Sequence, residues 1–128
     1  MYLYRYMSYR ELYLYNSGAI IKGRIHHKNT TIKKGVCFLG EKTKDSNGRI
    51  YTPEECYSFL SGIVSDELLV CFKLNDTSKL IVGTGLYADP FGGWFDRIEI
   101  TEYALPDYSR DNLKLCGYRW VETLDNKW

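Results

Sequence analysis

The chain has 128 residues, of which 45% are hydrophobic and 26% charged, and its formal net charge is +1. This composition is ordinary for one folded domain spanning residues 1–128; it excludes a disordered chain, and the small net charge argues against a DNA-packaging protein. The longest apolar run, residues 68–72, is far shorter than the roughly 20 residues of a membrane-spanning helix. Because residues 2–6 also lack the apolar stretch of a signal peptide, we expect a cytoplasmic protein without a membrane partner.

The first part of the chain predicts a strand followed by a helix. Residues 2–7 alternate in the manner of a strand with two different faces. Ser8 and Glu11 match a capping box, in which Ser8 accepts the backbone N–H of Glu11 and the Glu11 carboxylate reaches back to that of Ser8. The helix is expected to run to about Asn16, and Gly18 is suited to end it.

The rest of the chain predicts an α+β domain dominated by antiparallel strands. Thr52 and Glu55 form a second capping box, and the short helix after them is expected to bury Cys56, Phe59, Leu60 and Ile63. Further strands are expected at residues 19–25, 35–40, 67–74, 79–88, 95–105 and 114–123. Residues 26–34 and 41–50 predict polar loops, the second of them mobile, and residues 89–93 a turn.

Two charged residues on predicted strands are candidates for chemistry. Arg5 lies mid-strand, where an arginine facing solvent is ordinary, but in a cleft its planar guanidinium could hold a phosphate or a ribose. Glu102 shares the apolar strand face of Ile98 and Ile100, opposite to Glu99. The Glu102 carboxylate is therefore either exposed at the open end of the strand or present for a specific role.

Other polar and sulfur-containing residues favour structural interpretations. The adjacent His26 and His27 fit a solvated loop better than a general base. The pattern Gly83-Thr84-Gly85 does not match a dinucleotide fingerprint, and it indicates a bulge or a close approach of backbones instead. The four cysteines form no C-x-x-C pair and lie at no zinc-ligand spacing from the histidines, so we expect reduced, buried thiols and no metal.

Taken in order, these segments resemble the ADP-ribosyltransferase family. Its small members open with a strand bearing Arg or His, here Arg5 in LYRY, and continue with a strand carrying an aromatic residue, here Phe38 in GVCFL. A helix with a tyrosine follows, here Tyr57 in ECYSF, and a late strand carries the catalytic glutamate, here Glu102 in TEY. The similarity covers about residues 2–109.

The resemblance implies a split β-sandwich that binds NAD in a cleft as the substrate of a transferase. Arg5 would hold the ribose or the phosphates, Phe38 and Tyr57 (or Tyr51) would flank the nicotinamide ring, and Glu102 would stabilise the oxocarbenium-like charge as nicotinamide leaves. ADP-ribose would pass to a protein or nucleic acid of a host, as in a toxin or a phage-encoded modifier. The E-x-E pair of arginine-modifying members is absent, because Ile100 precedes Glu102 by two residues.

Two other functions fit the sequence. The twelve tyrosines could form a protein-binding surface of a non-catalytic phage inhibitor of a bacterial defence complex, similar to an anti-CRISPR protein. Alternatively, the basic residues between 22 and 34 and stacked tyrosine rings could bind a single-stranded nucleic acid. Residues 1–34 hold seven Lys or Arg and one acidic residue. This charge indicates either an anionic ligand, in the transferase or the nucleic-acid binder, or a solvated face that acidic residues from elsewhere in the fold compensate.

Overall fold

The computed structural model describes residues 1–27 and 29–124, and within them the protein is α+β and mostly antiparallel. The strands are β1 (Tyr2–Met7), β2 (Ile21–Lys22), β3 (Arg24–Ile25), β4 (Lys34–Phe38), β5 (Thr43–Lys44), β6 (Ile50–Tyr51), β7 (Leu68–Leu74), β8 (Ile81–Ala88), β9 (Arg97–Leu105), β10 (Asp107–Tyr108) and β11 (Leu113–Trp120). The described helices are α1 (Tyr9–Asn16), α2 (Tyr57–Leu60) and a short 3-10 helix (Val121–Thr123). The predicted fold class, with two short α-helices, is confirmed at this level.

Two sheets form the framework among the described residues. One has the strand order β1-β7-β11 and the other β3-β4-β9-β8, while β10-β2 and β5-β6 are small pairs. An isolated bridge between Tyr4 and Leu39 links β1 to the segment after β4, with N–H···O distances of 2.8 and 2.7 Å in the two directions. The sheets therefore meet where β1 and β4 lie side by side.

The apolar core fills the space between these sheets. Leu3 and Met7 of β1 pack with Val70 and Phe72 of β7 and with Leu105 of β9 in one buried cluster. The near-continuous apolar run predicted for β7 is explained by its position between β1 and β11. At roughly 25 cal/mol for each Å² of apolar surface buried, such a core supplies the main driving force for folding.

The start of α1 differs from the prediction in one hydrogen bond. Ser8 Oγ accepts the backbone N–H of Glu11 at 3.1 Å, as predicted, and Gly18 follows the helix with a φ of 85°. The Glu11 carboxylate does not return to Ser8 but pairs with Arg5. A charged partner on the neighbouring strand competes successfully with a backbone amide because charge-assisted hydrogen bonds are the stronger ones.

Three other predicted segments also differ. The strand expected over residues 19–25 is split at Gly23, and the halves β2 and β3 pair with different strands. A Cβ at Gly23 would lie 2.5 Å from Gly35 Cα, so only a glycine fits there. The loop expected to be mobile contains the hairpin β5–β6, which closes around the buried Asp45. The second helix is one turn long, with both hydrogen bonds of its capping box formed, and Ile63 after it is 66% exposed rather than buried.

The cysteines and helices bear on two further expectations. The described cysteines are free, as predicted, but they are not uniformly buried, since Cys56 lies in the core whereas Cys116 is exposed. In the part of the chain that the structure describes, every helix is too short or too polar to cross a membrane.

Candidate active site

A cleft of about 800 Å³ brings Arg5 and Glu102 to the same site. Its volume lies within the range of about 300–1,000 Å³ that small-molecule sites occupy. Its walls come from β1, from the segment between β3 and β4, from β8 and from β9. The polar lining residues are Arg5, Ser8, Glu11, Lys22, Arg24, His26, Asn29, Thr30, Cys37, Ser65, Tyr87, Arg97 and Glu102.

Glu102 lines this cleft from the face of β9 that carries Ile98 and Ile100. Glu102 is only 6% exposed, so the alternative prediction, a glutamate exposed to solvent at the open end of the strand, does not hold. Tyr87 donates a hydrogen bond to Glu102 Oε1, and Thr30 Oγ1 donates one to Oε2 at 3.3 Å. Burial raises the pKa of Glu102, and these hydrogen bonds offset the shift only in part.

Gly85 makes room for the carboxylate. In the antiparallel register of β8 and β9, Gly83 stands opposite Glu102 and Gly85 opposite Ile100. A Cβ at Gly85 would lie 2.6 Å from Glu102 Cδ and 2.7 Å from the Tyr87 ring. The prediction for Gly83-Thr84-Gly85 was a bulge or a close approach of backbones, but the paired strands continue without a bulge and the atoms that crowd the glycines belong to side chains.

Gly85→Ala is expected to destabilise the protein because the new methyl group overlaps Glu102 and Tyr87. Overpacking of this kind costs about 1–3 kcal/mol. The matched control is Gly117→Ala on β11, where a Cβ would meet no atom within 4 Å. Urea unfolding of both variants checks the expectation, and equal stability of the two would contradict the close packing around Glu102.

Thr30 reaches Glu102 because residues 29–31 run along the outer edge of β8. Thr31 N–H donates to the Thr84 carbonyl at 2.9 Å, and Leu86 N–H donates to the Asn29 carbonyl at 2.7 Å. Asn29 adopts a φ of 59°, which an asparagine tolerates better than most residues. The segment predicted as a polar loop thus forms one wall of the cleft.

Arg5, which also lines the cleft, is held by an ion pair. Its Nε donates to Glu11 Oε2 at 2.7 Å, its Nη2 to Glu11 Oε1 at 3.0 Å, and its Nη1 to the Cys37 carbonyl at 2.9 Å. Tyr108 donates a further hydrogen bond of 2.5 Å to Glu11 Oε2. Burial opposes ionisation of Glu11, but Arg5 and Tyr108 outweigh it and lower the pKa of this carboxyl. The Arg5 guanidinium is consequently fixed and already neutralised.

Three cations of the cleft are not neutralised in this way. Within the described residues, none of Lys22, Arg24 and Arg97 lies within ion-pair distance of a carboxylate, and all three are exposed. Lys22 and Arg24 belong to the basic first part of the chain. The cleft therefore offers positive charge to an anionic ligand.

His26 and Cys37 meet in the cleft without forming a nucleophilic pair. His26 Nε2 lies 2.9 Å from the Gly35 carbonyl oxygen and 3.5 Å from Cys37 Sγ. Because a carbonyl oxygen only accepts, Nε2 carries a proton and is not the base that a thiol would need. Burial and the charge of Glu102 raise the pKa of Cys37 to about 11, so the thiol stays protonated. No group of three potential metal ligands occurs among residues 1–27 and 29–124.

The aromatic residues expected beside nicotinamide lie outside the cleft lining. β4 alternates, so Cys37 faces the cleft while Phe38, 2% exposed, points into the core against Phe72. Phe38 borders a smaller cavity of about 80 Å³, which Arg5 and Glu102 also line. Tyr57 is buried against Tyr6. The alternative, Tyr51, bonds the buried Asp45 at 2.9 Å.

Sequence reasoning missed Tyr87, Thr30 and Glu11 as parts of the site. Tyr87 could have been found from the sequence, because Gly85 already indicated a close approach on one face of this strand. Tyr87 lies two residues after Gly85, and residues two apart on a strand share a face. Thr30 and Glu11 carry no such signal, since their positions depend on how a loop and a helix pack onto the sheets.

A second feature of the surface is the turn that joins β8 to β9. Trp94 is 93% exposed, Phe95 is 91% exposed, and Phe91 is also exposed. Hydrogen bonds from Phe91 N–H to Asp89 Oδ1 and from Gly93 N–H to Asp96 Oδ2 hold the turn in shape. We call Phe91, Trp94 and Phe95 the aromatic tip; exposed aromatic groups of this kind are enriched in protein interfaces.

Comparisons with known proteins give a partial relationship. The chain is 34% identical over 79 residues to BMP/retinoic acid-inducible neural-specific protein 3 of Mus musculus and to the protein of the same name of Homo sapiens. The match covers 56% of this chain, and the chain spans only about 10% of the length of these curated relatives. No protein-family model matches the chain. No solved structure matches it either.

Proposed function

We propose that the protein is an ADP-ribosyltransferase with a split β-sandwich fold that binds NAD in the cleft and transfers ADP-ribose to a macromolecule. The observation that carries this proposal is the meeting of Arg5 and Glu102, from opposite ends of the chain, in one cleft of suitable size. NAD carries negatively charged phosphates and a positively charged nicotinamide ribosyl end. The unpaired cations Lys22 and Arg24 match the phosphates, and the buried carboxylate of Glu102 matches the positive end.

The reaction breaks the bond between nicotinamide N1 and ribose C1′. The bonding electron pair leaves with nicotinamide, which becomes neutral, and positive charge develops at C1′. Glu102, ionised, stabilises this charge, and a nucleophile of the target then bonds to C1′ and releases its proton to solvent. One preorganised group of this kind contributes about 10²–10³ in rate.

The structure changes which residues we assign to binding. Because Glu11 already neutralises Arg5, we assign the phosphates to Lys22 and Arg24 and give Arg5 the role of ordering this wall beside the ribose. Tyr6 and Tyr87 both line the cleft, but Tyr6 is buried against Tyr57, so Tyr87 replaces Phe38 and Tyr57 as the contact of the nicotinamide ring.

The test is nicotinamide release from NAD by the purified protein, with and without cell lysate. We expect release by the wild type and a loss of about 10²–10³ in Glu102→Gln. The variant Lys22→Gln/Arg24→Gln should raise KM with little change in kcat, because the phosphates are bound equally in the ground and transition states. Equal turnover of wild type and Glu102→Gln would refute the assignment, as would absence of release under both conditions.

A second candidate function, a non-catalytic inhibitor that binds a protein complex, is favoured by the aromatic tip. A tip variant, Trp94→Ser/Phe95→Ser, separates the candidates because it lies outside the residues that line the cleft. An inhibitor would lose its partner in a pull-down without NAD, whereas the transferase would keep basal NAD hydrolysis in the same variant. Binding of a single-stranded nucleic acid stays a prediction from the sequence.

A further inference from the structure

The hydrogen bonds around Glu102 divide its two oxygens between two donors. Tyr87, from β8, donates to Oε1 and Thr30, from the segment beside β8, donates to Oε2. The Thr30 hydroxyl has a fixed direction, because its oxygen accepts the Ile32 N–H at 3.0 Å and its own proton is left for Glu102. The Tyr87 ring is fixed as well, by packing on Phe59 at a centroid distance of 5.5 Å.

We propose that Tyr87 and Thr30 are positioning residues that hold the Glu102 carboxylate in one orientation over Gly85, with one donor on each oxygen. This inference deepens the proposed function and rests on it for the catalytic consequence. Without the two donors, rotation about the last side-chain bond of Glu102 would present either oxygen to the cleft. A carboxylate has two oxygens with two lone pairs each, so both remain able to contact the ribose while they accept these bonds.

The ionisation of Glu102 gives a direct readout of the two donors. Both donate to the carboxylate and favour its charged form, whereas burial opposes it. The titratable and charged groups that face Glu102 come from four elements: Tyr87 of β8, His26 of the segment before β4, Cys37 of β4 and Arg5 of β1. Removing the Tyr87 hydroxyl leaves the other groups in place, so a change in titration reports on the missing hydrogen bond. Removing the Thr30 hydroxyl also takes the acceptor from the Ile32 N–H, so Tyr87→Phe is the cleaner of the two variants.

The experiment uses Tyr87→Phe and Thr30→Val in the whole chain. Tyr15→Phe is the matched control, because it also deletes a buried tyrosine hydroxyl, which bonds Leu113 and Leu115 on β11. The side-chain carboxyl signal of Glu102 is followed by NMR over pH and identified by its loss in Glu102→Gln. We expect the midpoint to move to higher pH in both test variants and to stay in place in the control.

The kinetic counterpart is the pH profile of kcat/KM for nicotinamide release. Tyr87→Phe is expected to lose about 10- to 100-fold at neutral pH, the effect of deleting one hydrogen bond to a charged group. The acid limb of its profile should move to higher pH, which a structural defect alone would not cause. An unchanged Glu102 titration in both variants would overturn the positioning role. If the wild type releases no nicotinamide, the proposed function fails, and the NMR titration still decides whether Tyr87 and Thr30 control Glu102.

Discussion

Glu102→Gln is expected to abolish most NAD turnover while leaving the protein at least as stable as the wild type at neutral pH. Gln keeps one carbonyl acceptor for Tyr87 or Thr30, places an NH2 group against the other hydroxyl and carries no charge. The rate should fall by about 10²–10³, because the developing charge at C1′ loses its partner. Stability should rise, because a buried carboxylate is disfavoured in its ionised form. A residue that costs stability and supports turnover has the profile of a functional group.

The sign of the pH dependence follows from the raised pKa of Glu102 in the folded protein. The stability associated with this group is fully present below its unfolded pKa and is lost as pH rises through the folded pKa. Glu102→Gln removes that loss, so the gain over the wild type should be seen near neutral pH and vanish below about pH 4. Urea unfolding at both pH values measures it. A variant that is strongly destabilised at neutral pH would contradict the account.

Arg5→Ala is expected to be the most destabilising substitution in the cleft. It leaves the Glu11 carboxylate, which is largely shielded from solvent, without its cation and removes the donor to the Cys37 carbonyl. Breaking one side of a partly buried ion pair is expected to cost about 2–3 kcal/mol, which corresponds to a fall in Tm of roughly 10 °C for a domain of this size. Thermal and urea unfolding measure the loss.

Two variants separate this ion pair from an ordinary surface contact. Arg5→Ala/Glu11→Gln should regain part of the loss, because no unpaired charge is left behind. Arg49→Ala breaks the looser pair with Asp89, whose atoms are 3.9 Å apart, and the contact of Arg49 with the Phe91 ring, and should cost only about 1 kcal/mol. The lowered pKa of Glu11 adds stability above its unfolded pKa that is lost as pH falls through the folded pKa, and Arg5→Ala should lack this acid-side dependence. A loss no larger than that of Arg49→Ala would contradict the inward position of Arg5.

Local patterns predicted much of the fold. The alternation of residues 2–7, the two capping boxes and the apolar run of β7 each depend on neighbouring residues, and the structure contains the elements they predict. The sequence also predicts the strand face of Glu102, because Ile98 and Ile100 lie on the same face. It does not predict whether Glu102 is buried, because burial depends on whether other segments of the chain cover the end of β9.

The parts that could not be predicted depend on contacts between distant segments. Arg5 shares its strand face with Leu3 and Met7, which indicates an inward arginine, yet its partner Glu11 is on a helix whose packing angle the sequence does not specify. We predicted that Phe38 lines the cleft, whereas its neighbour Cys37 does so. Neighbouring residues of a strand point to opposite faces, and the sequence alone did not show which face of β4 lines the cleft.

The most direct test of an NAD site between Arg5 and Glu102 is an NMR titration of the isotopically labelled wild type with NAD. We expect backbone amide signals of the cleft to shift in a saturable manner, those of Arg24, Thr30, Tyr87 and Glu102 among them, while those of the aromatic tip stay in place. The shifts should weaken in Lys22→Gln/Arg24→Gln. Absence of saturable shifts at millimolar NAD, or shifts confined to the aromatic tip, would contradict the assignment of this cleft as an NAD site.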